Sequence, residues 1–164
     1  MTTYVFVNKG YIKIEESLCE NEKLNQILNT YLSKFKHKKI KFSTITIFIT
    51  YEKEKEEAIS LIRALEVNGF EIKIFGGNLN ELKIVKGYVE DVKPGRKRFV
   101  IVVKLFGRLT PKKFTIYNSE DYRKFLEYVE ENHICIPHEY LYKIETYVSL
   151  LEKRGYIPSE YKSI

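Results

Sequence analysis

IKFSTITIFIT (Ile40–Thr50), EKEKEEAISLIRALEVNG (Glu52–Gly69) and FEIKI (Phe70–Ile74) decide the fold of this chain. The first segment is β-branched and aromatic almost throughout, with Ile45, Ile47 and Ile49 on one strand face and Thr44, Thr46 and Phe48 on the other. The second brings Ala58, Leu61, Ile62 and Leu65 round at helical spacing, and Asn68-Gly69 is its stop. Phe70, Ile72 and Ile74 then alternate as a strand. Strand, helix and strand with short joints predict a βαβ-type unit, whether the two strands pair directly or flank another.

Working toward the N-terminus, Leu24, Ile27, Leu28, Tyr31, Leu32 and Phe35 mark a helix with one buried face, and Ser17 with Glu20 forms its capping box. Before it, Tyr4–Asn8 and Tyr11–Ile14 are short strands joined at Lys9-Gly10. Toward the C-terminus, Gly76-Gly77-Asn78 is a turn, and a long strand is expected from about Leu82 to Val92. Pro94 and Gly95 occupy the central positions of a type II turn, and Phe99–Phe106 returns from it. Gly107 and Pro111 bound a further turn before a strand at Phe114–Tyr117. Asn118 or Ser119 caps a helix that runs to Asn132, and Pro137 and Gly155 bracket a last one. Val148–Ile157 resembles the end of a winged-helix recognition helix, but 137–155 is too short for two helices and a turn, so one continuous helix is predicted.

The chain has 164 residues, 44% of them hydrophobic and 30% charged, which suits one globular core and excludes a disordered tail. The expectation is α+β: a single domain over 1–164, with a mostly antiparallel sheet of roughly five to seven strands. A βαβ-type unit and packed helices complete it, and 118–164 is readable as a helical appendage. No apolar run approaches the ~20 residues of a membrane span. The opening Met1-Thr2-Thr3-Tyr4 lacks a secretory pattern, and two cysteines make no disulfide framework. A cytoplasmic setting is therefore expected, with no membrane partner.

Charge is segregated. Residues 34–41 carry Lys34, Lys36, Lys38, Lys39 and Lys41 and no acid; residues 93–113 carry Lys93, Arg96, Lys97, Arg98, Lys104, Arg108, Lys112 and Lys113 and no acid. The rest of the chain holds 15 basic residues against 22 acidic ones, so a net charge of +6 conceals an acidic body with two basic patches. Phosphate backbones are the commonest intracellular polyanions such patches meet. A hairpin carrying Arg96, Lys97 and Arg98, with Lys93 beside it and Lys104 on the strand face of Arg98, is the expected DNA- or RNA-binding element. Arg108, Lys112 and Lys113 extend it, and Lys36, Lys38 and Lys39 assist. Phe106 and Phe114 are candidate base-stacking rings, though alternating aromatics are more often core.

Two other constellations carry chemistry. Glu71, Glu81 and Lys83, read on two strands joined at Gly76-Gly77, resemble the acid…Glu-x-Lys set of restriction-endonuclease-type enzymes and would hold Mg²⁺ in a nuclease. Glu71 stands where that family has Asp, and strand replaces its following helix. His133, Cys135 and His138 are a weak zinc set, with Glu131, Glu139, Cys19 or His37 as a fourth ligand. No cofactor is expected under the leading reading. A third class is an assembly protein, in which Val100, Val102 and Phe106 pack against another subunit of a homo-oligomer. A Ser/His/Asp signature, Walker loop, dinucleotide fingerprint and paired Cys-x-x-Cys are all missing from the sequence.

Overall fold

A computed structural model describes residues 2–8, 11–15, 22–41, 44–75 and 77–162. The Lys9-Gly10 joint, the Ser17/Glu20 cap, Cys19 and Gly76 lie outside the described residues. The fold is α+β, and most strand pairs are antiparallel. The strands form two sheets where one was expected, and the chain divides into two compact units, Met1–Val85 and Lys86–Ile164.

The first unit runs β1 (Thr2–Asn8), β2 (Tyr11–Glu15), α1 (Glu22–Leu32), β3 (His37–Lys41), β4 (Thr44–Phe48), α2 (Glu52–Val67) and β5 (Glu71–Phe75). Its sheet has the order β3-β4-β2-β1-β5, antiparallel except for the β1·β5 pair. The predicted βαβ unit is β4-α2-β5, with β2 and β1 lying between its strands. From β2 onward the chain follows the split β-α-β-β-α-β pattern, into which β1 is inserted beside β5. Register puts Val5, Ile14 and Ile45 in one row and Val7, Ile12 and Ile47 in the next. Leu24, Leu28 and Leu32 of α1 and Ala58, Leu61, Ile62 and Leu65 of α2 close over these rows.

Two expectations in this unit change. Ile40–Thr50 is not one strand: β3 ends at Lys41 and β4 begins at Thr44, paired antiparallel. Lys38, Lys39 and Lys41 therefore lie on an edge strand, where charge blunts the exposed ladder against pairing with other chains. The stretch before the second unit is also not strand, since Leu79–Glu81 is a 3₁₀ turn and Leu82–Val85 joins no ladder. Its backbone is tied instead by Val85 N–H donating to the Ile49 carbonyl at 2.8 Å.

The second unit runs β6 (Gly87–Pro94), β7 (Phe99–Leu105), β8 (Lys112–Ile116), α3 (Ser119–Glu131), β9 (Ile134–Cys135) and α4 (His138–Arg154). Its sheet order is β8-β7-β6-β9, with β6·β9 parallel. Phe99, Ile101 and Val103 of β7 share one core with Ile116, with Phe125 of α3 and with Ile144, Tyr147, Leu150 and Leu151 of α4. Asn118 caps α3 by accepting the Asp121 N–H at 2.9 Å. The last helix is continuous, entered from Pro137 and stopped by Gly155 in the left-handed region at φ 77°. The type II turn at Pro94-Gly95 does not form, because Gly95 has no positive φ. The loop closes one step later, with Gly95 N–H donating to the Arg98 carbonyl at 2.7 Å.

Gly87 begins β6 where three backbones converge. A Cβ there would stand 2.4 Å from the Lys104 carbonyl and 3.2 Å from both Leu105 Cα and Ile134 Cδ1. Backbone on the central pair cannot give way as a flexible side-chain tip would. Gly87→Ala is therefore expected to cost about 2 kcal/mol of stability, measured by urea unfolding. An unchanged midpoint would show that β6 and β7 separate freely at this point.

Candidate functional site

The basic residues of 93–113 are sorted by β-register. Lys93 pairs with Val100 and Val100 with Thr115, while Asp91 pairs with Val102 and Val102 with Lys113. Residues directly opposite share a face, so Lys93, Lys113, Thr115 and Lys104 stand on the face opposite the Phe99–Ile101–Val103 core row. The alternation carries on beyond the strand ends to Arg98 and Tyr117, whose side chains meet: Arg98 Nη1 donates to Tyr117 Oη at 3.3 Å. Lys112 falls on the other face, opposite Val103. Its ammonium lies 4.5 Å from the centre of the Tyr128 ring and 5.4 Å from that of Phe114. The expected grouping of Lys112 with Lys113 is thus undone, because adjacent residues of a strand point to opposite sides.

At the hairpin tip Arg96, Lys97 and Arg98 are exposed, while their backbone is tied down. The Arg96 carbonyl accepts the N–H of Ile157 at 2.6 Å, and Ile157 is buried beyond the end of α4. Among the described residues Lys93, Arg96, Lys97, Arg98 and Lys113 have no carboxylate within ion-pair distance. By contrast, Arg123 on α3 is paired with both Glu120 and Glu127. Asp91, on the basic face, has Oδ1 on the Val92 N–H at 2.8 Å. At the far end of β7, Lys104 Nζ donates to the Arg108 carbonyl at 2.6 Å and so closes the β7–β8 turn around Gly107. Arg108 is exposed beside it.

The lysines of 34–41 are more occupied. Lys34 Nζ lies 3.4 Å from Glu57, Lys36 Nζ donates to Tyr51 Oη at 3.1 Å, and Lys38 Nζ donates to the Phe35 carbonyl at 3.1 Å. Lys38 and Lys39 are exposed and lie on opposite faces of β3, since Lys38 pairs with Ile47 and Lys39 with Thr46. The backbone of this run is held by Glu54, which is only 4% exposed. Its Oε2 accepts the Lys36 N–H, and its Oε1 accepts the Thr50 N–H, the Thr50 hydroxyl and the Tyr51 N–H. Glu54 lies four residues before Ala58 on the stripe of Ala58, Leu61, Ile62 and Leu65, and that spacing is the sequence signal that sets it apart from the other glutamates of 52–57.

The proposed nuclease set does not assemble. Glu71 begins β5 opposite Thr2, whereas Glu81 is in the 3₁₀ turn, bonded to Asn78 Nδ2 at 3.2 Å and beside Gly77. Gly77 lies next to the Val7 carbonyl, five residues along β1 from Thr2. Five strand residues span roughly 16 Å, too far for the two carboxylates to share an ion. Lys83 is exposed in the unpaired stretch.

The zinc set fares no better. Cys135 is buried on β9, and burial, with a smaller contribution from Glu139, pushes its thiol far above the ordinary range. A thiolate ligand is correspondingly disfavoured there. His133, with a positive φ of 54°, and His138 are both exposed. Among the described residues no three of His, Cys, Asp and Glu are grouped to hold a metal. Alkylation followed by mass spectrometry is expected to leave Cys135 unmodified in the native protein and to label it once urea unfolds the chain. Rapid native labelling would mean the thiol is reachable and ionisable after all.

Phe114 packs edge-on against Phe125 at 5.0 Å and at a tilt against Tyr128 at 4.7 Å, so it is part-buried against the core. Phe106 is half-buried beside Tyr88, with ring centres 5.7 Å apart. Val102 is 4% exposed and Val100 is half-buried, so the apolar face invoked for assembly is not an open patch. Among the described residues no helix is long and apolar enough to cross a membrane. These features define an α+β protein with a pinned cationic hairpin. Comparison of the chain with protein-family models, curated proteins and solved structures finds no match.

Proposed function

We propose that this protein binds DNA or RNA by phosphate contact, using Arg96, Lys97 and Arg98 at the β6–β7 tip with Lys93 and Lys113 beside them. One observation carries the reading: five cations without acid partners share one hairpin and its neighbouring strand, on a backbone fixed by the Ile157–Arg96 bond. Fixing the backbone lowers the ordering cost of binding, and cations without acid partners break no ion pair when they meet phosphate. Contacts of this kind position a nucleic acid without reading its bases. Lys104 and Arg108 add charge at the other end of β7, and Lys36, Lys38 and Lys39 give the first unit a weaker basic element. The positions of Glu71, Glu81 and Lys83 lend no support to a nuclease.

Fluorescence anisotropy with labelled oligonucleotides across a salt series tests the reading. The expected log–log slope is steeper than about −3, as neutralising several phosphates requires. No binding at ~50 mM salt, where such contacts are strong, would make the patches solubility features.

A further inference from the structure

On the basis of that same nucleic-acid reading, we infer that the hairpin takes single strands, with the Tyr117 ring as a stacking platform for an unpaired base. Tyr117 follows β8 on the basic face and is 52% exposed. Its hydroxyl accepts from Arg98 Nη1, and its backbone N–H donates to Asp121 Oδ2 at 3.0 Å. The ring is therefore oriented next to the tip cations before any ligand arrives.

The acids around it are engaged. Asp121 takes the Tyr117 N–H, Glu152 takes the Ser119 N–H at 2.7 Å, and Glu120 is paired with Arg123. A second exposed tyrosine, Tyr156 at 41%, immediately precedes the Ile157 that binds the Arg96 carbonyl. Cations that track a backbone, interleaved with exposed rings, are what single-strand binders present, because every base has a π-face and only unpaired bases offer it. In a duplex the bases are already stacked on each other, and an exposed ring on a sheet surface gains nothing from them. Phe106 and Phe114 cannot serve in this way, being packed.

The absence of tryptophan from the chain supplies the probe, since Tyr117→Trp introduces the only indole. Oligo(dT) and oligo(rU) of about 20 nucleotides, long enough to cover one site, are titrated alongside a mixed-sequence duplex of equal length. Indole quenching is expected with the single strands and not with the duplex, while the same probe at Tyr142, exposed on α4, stays unchanged. By anisotropy, Tyr117→Ala is expected to weaken single-strand binding about tenfold, and Tyr117→Phe, which keeps the ring, less than about twofold. The dT and rU arms separate DNA from RNA as the source of the strand. Equal duplex and single-strand affinity, both indifferent to Tyr117→Ala, would overturn the stacking site while leaving phosphate binding intact. Binding of no oligonucleotide at all would overturn both.

Discussion

Glu54→Ala should cost about 4 kcal/mol of stability, the largest loss expected from any single side chain described above. The carboxylate accepts four hydrogen bonds from within the first unit: from the N–H groups of Lys36, Thr50 and Tyr51, and from the Thr50 hydroxyl. Truncation leaves three backbone donors facing a closed space, each costing about 1–3 kcal/mol when unsatisfied, with partial relief as water enters. Glu54→Gln retains one oxygen but turns an amide NH₂ toward donors, so about half the loss should persist. Urea unfolding followed by far-UV circular dichroism reads the effect. Against a typical total of about 5–15 kcal/mol, such a loss is readily seen. A change below about 0.5 kcal/mol, the range of ordinary surface substitutions, would mean the junction is held by something other than this carboxylate. The same variant should loosen the lysine run, because Lys36 is fixed through its own N–H.

Much of this architecture was legible because its signals are local. The α2 pattern of Ala58, Leu61, Ile62 and Leu65, the Asn118 cap and the Pro137–Gly155 bracket all act within a few residues, and all three are found. What was not legible depends on pairing across the chain. Ile40–Thr50 contains no glycine or proline, so nothing local announces that β3 stops and β4 begins; the hairpin exists because Ile40 finds Ile45 and Lys38 finds Ile47. Leu82–Val85 has the composition of a strand, yet its backbone bonds to Ile49 and joins no sheet. Two sheets replace one for the same reason, since alternation tells which residues face inward and not which strands are neighbours.

The candidate site follows the same division. The acid-free run 93–113 was visible in the sequence, but its sorting was not: Lys112 and Lys113 read as one patch until register places them on opposite faces. Tyr117 reads in the sequence only as the last residue of the strand Phe114–Tyr117. Alternation from Lys113 and Thr115 does put it on the polar face, a signal that could have been used. The bond from Ile157 to Arg96 joins segments some sixty residues apart and has no local sequence mark.

That bond shapes the second large expectation. Replacing Arg96, Lys97 and Arg98 together by alanine should lower the salt slope of nucleic-acid binding by about 2 and weaken affinity about 100-fold at ~50 mM salt. Each lysine or arginine that neutralises a phosphate contributes about 0.7 to the slope on a single strand, so three account for the change. The substitutions leave the fold in place, because all three side chains are exposed and the Ile157 bond uses the Arg96 backbone, which alanine retains. Near ~200 mM salt the gap between the wild type and the triple variant should narrow to about sixfold, since a slope difference of about 2 closes about 16-fold over that fourfold rise in salt. A control at Lys53, Lys55 and Arg63 on α2 removes the same formal charge from elsewhere and separates local contact from net charge. If the control weakens binding as much as the tip variant, long-range attraction to a basic protein explains the affinity, and the hairpin is not the interface. If only the tip variant loses slope and affinity, the five cations without acid partners are where the phosphates lie.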